Sequence, residues 1–451
     1  MTQHSEAVAR YHKLLESEMF KDLEWVGELR QAMQDKGLIV STRPVSPFLR
    51  PHFVAKRQYD HLTKDSETLF SAINRMKMAA LSNPQLMARM ELLPAEKMLA
   101  TTDPGYAELA SMSTLEASAE NGSMHFMNYQ ASAPYGVIYS EILSDLFLDC
   151  APMKEFRKKQ KLSKVSGLKY FLSAMLKAWK EFGQKKKPQI AILEFKQPFP
   201  TMESNEHVLL AEYLRKAGYA AEVVSPEQLE YKNGVLRKGE FVIDLVLRRV
   251  NAQDFVIRYD LSQPLVRAYR DRAVCVVNNF RAEIAQKRAI FELLTDDTLT
   301  AKFPAAERKA IREMVPWTRV VRATNTNWRG TVVDLPEYII ANRENLVMRP
   351  NDETAEQNTY NGAAMDNHSW ERALKTAIRN PYVVQEKTPT AIDKFPVQLY
   401  GGLEMKEMRI DMFAHAYQGK VQSASTYLST ASPSGFSSIE GVVPTFVLES
   451  R

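Results

Sequence analysis

Apolar residues recur at three- and four-residue steps from Ala7 to Lys36 and again from Ser66 to Leu93. That spacing predicts two long amphipathic helices in the first hundred residues. Gly37 is a natural stop for the first, and the segment Pro44 to Pro51 separates the two. From residue 112 the period shortens. Met112 to Ala117 and Met124 to Tyr129 read as the strands of a hairpin turning at Glu120-Asn121-Gly122. Gln130 to Gly136 reads as a loop and Val137 to Phe147 as a helix, followed through residue 188 by amphipathic helices and a basic linker.

An α/β passage comes next. Gln189 to Phe195 is a buried strand, Asn205 to Lys216 a helix closed by Gly218, and Tyr219 to Val224 a second strand. Asn233-Gly234 marks another hairpin within Leu229 to Lys238, and Phe241 to Leu247 is a further strand. Short links between these elements predict a small open sheet with helices packed against it. Later, Val274 to Phe280 reads as a strand, and Lys287 falls in a helix running to Asp296-Asp297. Leu346 to Met348 and Tyr382 to Glu386 read as buried strands. Arg409 to Ala414, Val421 to Leu428 and Val442 to Leu448 complete the set.

Composition narrows the classes. The 451 residues leave room for two or three domains, with 45% hydrophobic and 25% charged residues. The net charge of +5 is dispersed, so no nucleic-acid partner is implied. The basic runs Lys154 to Lys164 and Lys185 to Lys187 read as solvated helix faces and linkers. Two cysteines are too few for a disulfide framework, and eight scattered histidines show no metal-ligand spacing. No run approaches the roughly 18 apolar residues that a membrane helix needs, and no cleavable leader pattern is present. The expectation is a cytoplasmic protein with no membrane partner.

The stretch Leu346 to Gly362, LVMRPNDETAEQNTYNG, carries the chemistry. Arg349 leaves a strand, a polar loop follows, and the neighbouring strand ends in Gln385-Glu386. With Pro134-Tyr135-Gly136, Asn278, Lys287, Pro316-Trp317 and Pro444, this stretch resembles the circularly permuted ATP-grasp proteins related to glutathionylspermidine synthase, over roughly residues 105 to 451. The resemblance implies an α/β (α+β) chain in four parts. These are a helical N-terminal region (1–104), a first ATP-grasp segment with the metal-site hairpin (105–188), a small substrate-type domain (189–270) and a nucleotide-binding core (271–451). It further implies ATP and magnesium as cofactors and a small-molecule or peptide-like ligand. Lys287 and Arg349 would meet phosphate, and Val384, Gln385 and Glu386 would carry the adenine. Glu116, Asn128 and Gln130 would stand at the metal; Arg248 and Arg249 read either as candidates for an acidic substrate or as salt-bridged scaffold arginines. Oligomeric state is left open.

The departures from the family fall on its reactive positions. Its loop glycines align with Ala355, Glu356 and Asn358, so acid and bulk replace backbone that would approach phosphate. One unit of repulsion at about 4 Å, with an effective dielectric near 20, costs about 4 kcal/mol. Thr114, Asn128 and Gln130 stand where the metal motif has other groups, which leaves Glu116 as its one carboxylate. Near the C-terminus, Tyr427 replaces an arginine. Gly435, Ile439 and Glu440 stand where an asparagine and two turn glycines belong. Two readings follow. One is a non-catalytic pseudo-ligase that binds or regulates. The other is an active ATP- and magnesium-dependent carboxylate–amine ligase with an altered site.

Overall fold

The computed structural model describes residues 2–40, 43–107, 110–120, 123–132, 134–196, 205–352, 358–431 and 438–449. Its helical N-terminal part breaks where the sequence predicts continuity. The first long helix is two, Gln3–Leu15 and Glu24–Asp35. A straight 30-residue helix would be about 45 Å long. It could not bring Tyr11 and Leu15 into the same core as Trp25, Leu29 and Met33, so the chain turns between them with Phe20 buried at the corner. Gly37 closes the second helix at φ +71°. The next helix, Lys56–Ser82, starts ten residues before the apolar period is visible, because little of its first turns is buried. It ends at Asn83, whose side chain caps the short helix Pro84–Arg89.

The predicted hairpin forms from Met112–Glu120 and Ser123–Gln130, and its Asn121-Gly122 turn lies outside the described residues. It extends a large antiparallel sheet through Gly402–Tyr417, Lys420–Thr430 and Glu440–Val443, while Ala391–Leu399 pairs with the first half of Gly402–Tyr417. Period-two alternation sorts the two faces. Leu115, Ala117, Phe126, Met412, Ala414 and Leu428 join Leu69, Phe70 and Ile73 in one core. Thr114, Glu116, Asn128, Gln130 and Asp411 alternate with them and so face the other way.

The α/β passage is a four-stranded parallel sheet in the order Cys275–Val277, Leu245–Arg248, Ile190–Leu193, Ala221–Val224. The expected strand Phe241 to Leu247 is two pieces. Phe241–Val242 pairs back onto Val235–Lys238, and Leu245–Arg248 enters the parallel sheet. Asp244 makes the break by accepting from Gln189 N at 2.9 Å and Lys186 Nζ at 2.7 Å. Asn233 and Gly234 take φ +51° and +76°, the two positive values a tight hairpin turn demands.

A smaller antiparallel sheet orders Thr318–Val320, Tyr382–Glu386, Leu346–Pro350 and Tyr360–Asn361. Leu335–Ala341 and Asn367–Arg379 back it through Leu335, Ile339, Trp370 and Leu374. The predicted last strand is split at Pro444: Glu440–Val443 stays in the large sheet, and Thr445–Leu448 runs parallel to His52–Ala55. Gly441 permits that junction, since a Cβ there would lie 2.6 Å from the Val45 carbonyl oxygen. Among the described residues no helix is long and apolar enough to cross a membrane.

Candidate functional site

Residues of the two antiparallel sheets meet around one cavity, and Arg349, Gln385 and Glu386 are the sequence-predicted groups that line it. On the large sheet Glu116 stands directly across from Asn128, and Thr114 across from Gln130, with a register shift between Glu116 and Ala117. Phe413 is the neighbour of Glu116 on its other side. The three expected metal-site residues therefore share one face. Two further groups are not among the sequence-predicted ones. Arg409 and Asp411 flank Ile410 on the same strand and pair with each other at 3.0 Å. Their signal is the polar alternation with Ile410, Met412 and Ala414.

The small sheet supplies the opposite wall. Arg349 is enclosed at the end of Leu346–Pro350, where burial lowers its pKa and the Glu116 carboxylate pulls it back up. Val384 packs into the core behind the sheet, and Gln385, across from Val347, gives its side-chain amide to Thr318 Oγ1 at 3.2 Å. Glu386 turns toward the sheet edge, accepting from Trp328 Nε1 at 3.1 Å and Arg329 at 3.2 Å, and its backbone N–H bonds Trp317 O. Between the walls lies a cavity of about 180 Å³, lined by Met127, Val347, Arg349, Gln385, Lys387 and Arg409 among others. Small-molecule sites usually span about 300–1,000 Å³.

The donor set bears directly on magnesium. Asp411, whose pKa burial raises, is already paired with Arg409, and Glu116 feels the positive charge of Arg349. A divalent ion would have to displace the Arg409 guanidinium from Asp411 and sit beside the like charge of Arg349, and the residues present do not fit it. Among the described residues no group of three or more His, Cys, Asp or Glu is placed to hold a metal ion. Of the aligned loop positions, 355 and 356 lie outside the described residues, as does 435. Asn358 offers its carbonyl oxygen to Tyr382 Oη at 3.1 Å.

Lys287 is not inside a continuous helix. It sits between Glu283–Gln286 and Ala289–Leu294 with an extended backbone. Asn351 forces the break by taking the Arg288 N–H on its carbonyl and the Ala289 N–H on its side chain, both at 2.8 Å. The Lys287 ammonium, 1% exposed, donates to Glu96 at 2.8 Å, to Gln253 at 3.0 Å and to Asp352. An ammonium has three N–H donors, and all three are used. Burial works against its charge, but Asp352 and Glu96 outweigh that and raise its pKa.

Arg248 is fully buried against Glu283 at 2.7 Å and also donates to the carbonyls of Asn278, Val250 and Asn279 and to Ser132. It belongs to the scaffold that joins the parallel sheet to the large one. Arg249 reaches Glu206 at 2.8 Å and the Pro134 carbonyl at 3.2 Å. It lines a second cavity, about 250 Å³, with Glu194, Phe195, Asn251 and Tyr135. This cavity opens where Ile190–Leu193 and Leu245–Arg248 end. The strand order reverses between those two, as at the ligand crevice of open parallel sheets. A third cavity, about 650 Å³, lies along the outer edge of Thr318–Val320. Three of its arginines are matched by acids, Arg89 by Glu292 and Asp296, Arg322 by Glu91, and Arg329 by Glu386, while Arg319 donates to Thr326 and to the Thr318 and Asn327 carbonyls.

No protein-family model matches the sequence, and no curated protein sequence matches it. Solved structures are similar to it. A glutathione synthetase-like effector from Globodera pallida, in apo form, overlays with a TM-score of 0.60 at 13% identity, covering 94% of this chain and 97% of that one. A gamma-glutamylcysteine synthetase-like protein from Methylobacillus flagellatus gives 0.43 at 12%, covering 85% and 86%. An ATP-grasp RimK-domain protein from Sphaerobacter thermophilus gives 0.29 at 15%, covering 56% and 90%. The last two overlaps are too loose to bear weight. The first, with the two antiparallel sheets, shows an ATP-grasp fold. A likeness of fold assigns no activity.

Proposed function

We propose that this chain is a non-catalytic pseudo-ligase, an ATP-grasp scaffold that binds or regulates without using ATP. One observation carries the reading: Lys287, a cation that the resemblance sets at phosphate, is already satisfied from within. Lys287 spends every donor on Glu96, Asp352 and Gln253. Around the cavity of about 180 Å³, Arg409 pairs with Asp411 on its own strand, and the Glu116 carboxylate opposes the lowering of the Arg349 pKa by burial. The crevice of Arg249, Phe195 and Tyr135 has polar and aromatic walls that suit a small polar or peptide-like molecule, and the cavity of about 650 Å³ along Thr318–Val320 offers more room.

The second reading, an active carboxylate–amine ligase using ATP and magnesium, is favoured by one feature. Glu116, Asn128 and Gln130 remain in register on the cleft face, with Arg349 opposite. Melting with millimolar ATP and magnesium separates the two. A ligand at about 100 times its Kd stabilises the folded state by about 2.7 kcal/mol. The pseudo-ligase reading expects an unchanged melting temperature and no phosphate release. A shift of several degrees that needs magnesium would favour the enzyme.

A further inference from the structure

The cavity of about 650 Å³ along the edge strand Thr318–Val320 falls within the usual size of a small-molecule site. Of its lining residues only Glu386 also lines the cavity around Arg349. It lies where the helix Ala305–Met314, the edge strand and the hairpin of Asn325–Trp328 with Thr331–Asp334 meet. The helix turns Ile311 inward and leaves the next residue, Arg312, exposed. Ile311, Val315, Trp317 and Leu335 form an apolar wall, and Asn325 and Thr326 a polar one.

The charges on this lining do not cancel. Glu292 accepts from Arg89 on one oxygen and from the Val320 N–H on the other. Asp296 accepts from Arg89 and Thr298, and Glu386 from Trp328 and Arg329. Among the described residues, exposed Asp297 is the one lining acid whose side chain has no partner. Two lining arginines have no carboxylate. The Arg312 side chain has no hydrogen bond or ion pair among the described residues. Arg319 is 8% exposed, and its five N–H groups all go to neutral acceptors. These are Thr326 and Thr295 hydroxyls at 2.8 and 3.0 Å and the carbonyls of Thr318, Asn327 and Thr295. Burial pushes its pKa down, while Glu292 and Asp296 act through space in the other direction. A guanidinium held out of water without a paired anion is costly, and an anion entering beside it recovers part of that cost. A donor stands ready for one. Thr326 Oγ1 accepts from Arg319 Nε, which leaves its own O–H unspent.

We propose that this cavity binds a small aromatic carboxylate. The carboxylate accepts from the Thr326 hydroxyl and from Arg312, beside the charge of Arg319, and the ring lies against Trp317, Val315 and Ile311. Two unpaired cations less one unpaired acid leave a single positive charge, which matches a monoanion better than a phosphate dianion. The apolar wall asks for a hydrophobic body behind the charge. The inference goes beyond the pseudo-ligase reading and does not rest on it, since Arg312, Arg319 and Thr326 line the outer cavity alone.

The probes are 2-naphthoate and its neutral counterpart 2-naphthamide, each titrated calorimetrically into the full chain. Naphthoate is expected to bind saturably, with a Kd below about 1 mM and at least about 10-fold tighter than the amide. R312Q changes an exposed position, and T326V removes the unspent hydroxyl. Each is expected to weaken naphthoate by about 5-fold or more and to leave the amide unchanged. Arg319 is left in place, because its bonds to the Thr318 and Asn327 carbonyls also hold the hairpin. A loss in either variant puts the anion in this cavity, and should T326V fail to fold, R312Q decides alone. No saturable binding at millimolar naphthoate, equal binding of acid and amide, or naphthoate binding that neither variant moves would each overturn the proposal. The pseudo-ligase reading stands or falls separately, on ATP.

Discussion

Replacing Lys287 by alanine is expected to destabilise the fold by about 3–5 kcal/mol, the usual cost of removing one partner from a buried ion pair. The ammonium is 1% exposed and neutralises two carboxylates that are themselves buried. Without it, Glu96 and Asp352 are left charged, close together and out of water, and they must take up protons or draw water in. The sign is diagnostic. A lysine kept only to meet a ligand would be removed with little loss of stability, and often with a gain. Denaturant unfolding measures the difference. K287M/E96Q/D352N, which removes all three charges, should regain most of the loss, because the interaction is shared among neighbours and the single effects cannot add. Wild-type stability in K287A would place the lysine outside the framework.

Acid should unfold the protein well before its carboxylates titrate in bulk. Burial pushes His415 down to about 4 and His52 well below the ordinary histidine value. His415 is held against Ser425 at 2.8 Å, and His52 against Thr426 at 2.9 Å. His4 and His12, near Arg50 and Asp393, are also depressed, His12 to about 4. The folded state thus binds fewer protons than the unfolded state between about pH 4 and 6.5. Stability is complete above 6.5 and falls as the pH drops through that window. His415 alone, lowered from an ordinary 6.5 to about 4, contributes about 3 kcal/mol of loss by pH 4. Asp411, raised by burial, acts in the opposite direction but only near its own range. Stability from denaturant midpoints should climb steeply from about pH 4.5 to about 6.5 and then level. In His415→Phe the climb should be shallower. A flat profile across that window would show that these imidazoles are not buried as neutral groups.

What is legible in the sequence follows from which forces are local. Period-two alternation puts Asn128 and Gln130 on one face, because the pleat is set by neighbouring residues, and the resemblance anchored at Pro134-Tyr135-Gly136 sets Glu116 beside them. The strand at Leu346–Pro350 and its partner Tyr382–Glu386 are legible for the same reason. The surroundings of Lys287 are not. Its helix period is unbroken in the sequence, and the break is imposed by Asn351, which bonds Arg288 and Ala289 from far along the chain. Glu96 sits in an ordinary helical pattern, and nothing nearby marks it as the partner of a lysine 191 positions on. Arg248 looks like a ligand group because cation-rich strand ends often are. Only the fold shows it meeting Glu283 with neither side chain exposed.

An ammonium whose three donors are all spent on the chain's own side chains stands at the centre of the pseudo-ligase reading. Calorimetric titration of the wild-type protein with ATP at excess magnesium addresses that most directly. Featureless heats up to millimolar nucleotide are predicted. A saturable isotherm with a micromolar Kd, abolished by chelating the metal, would contradict it.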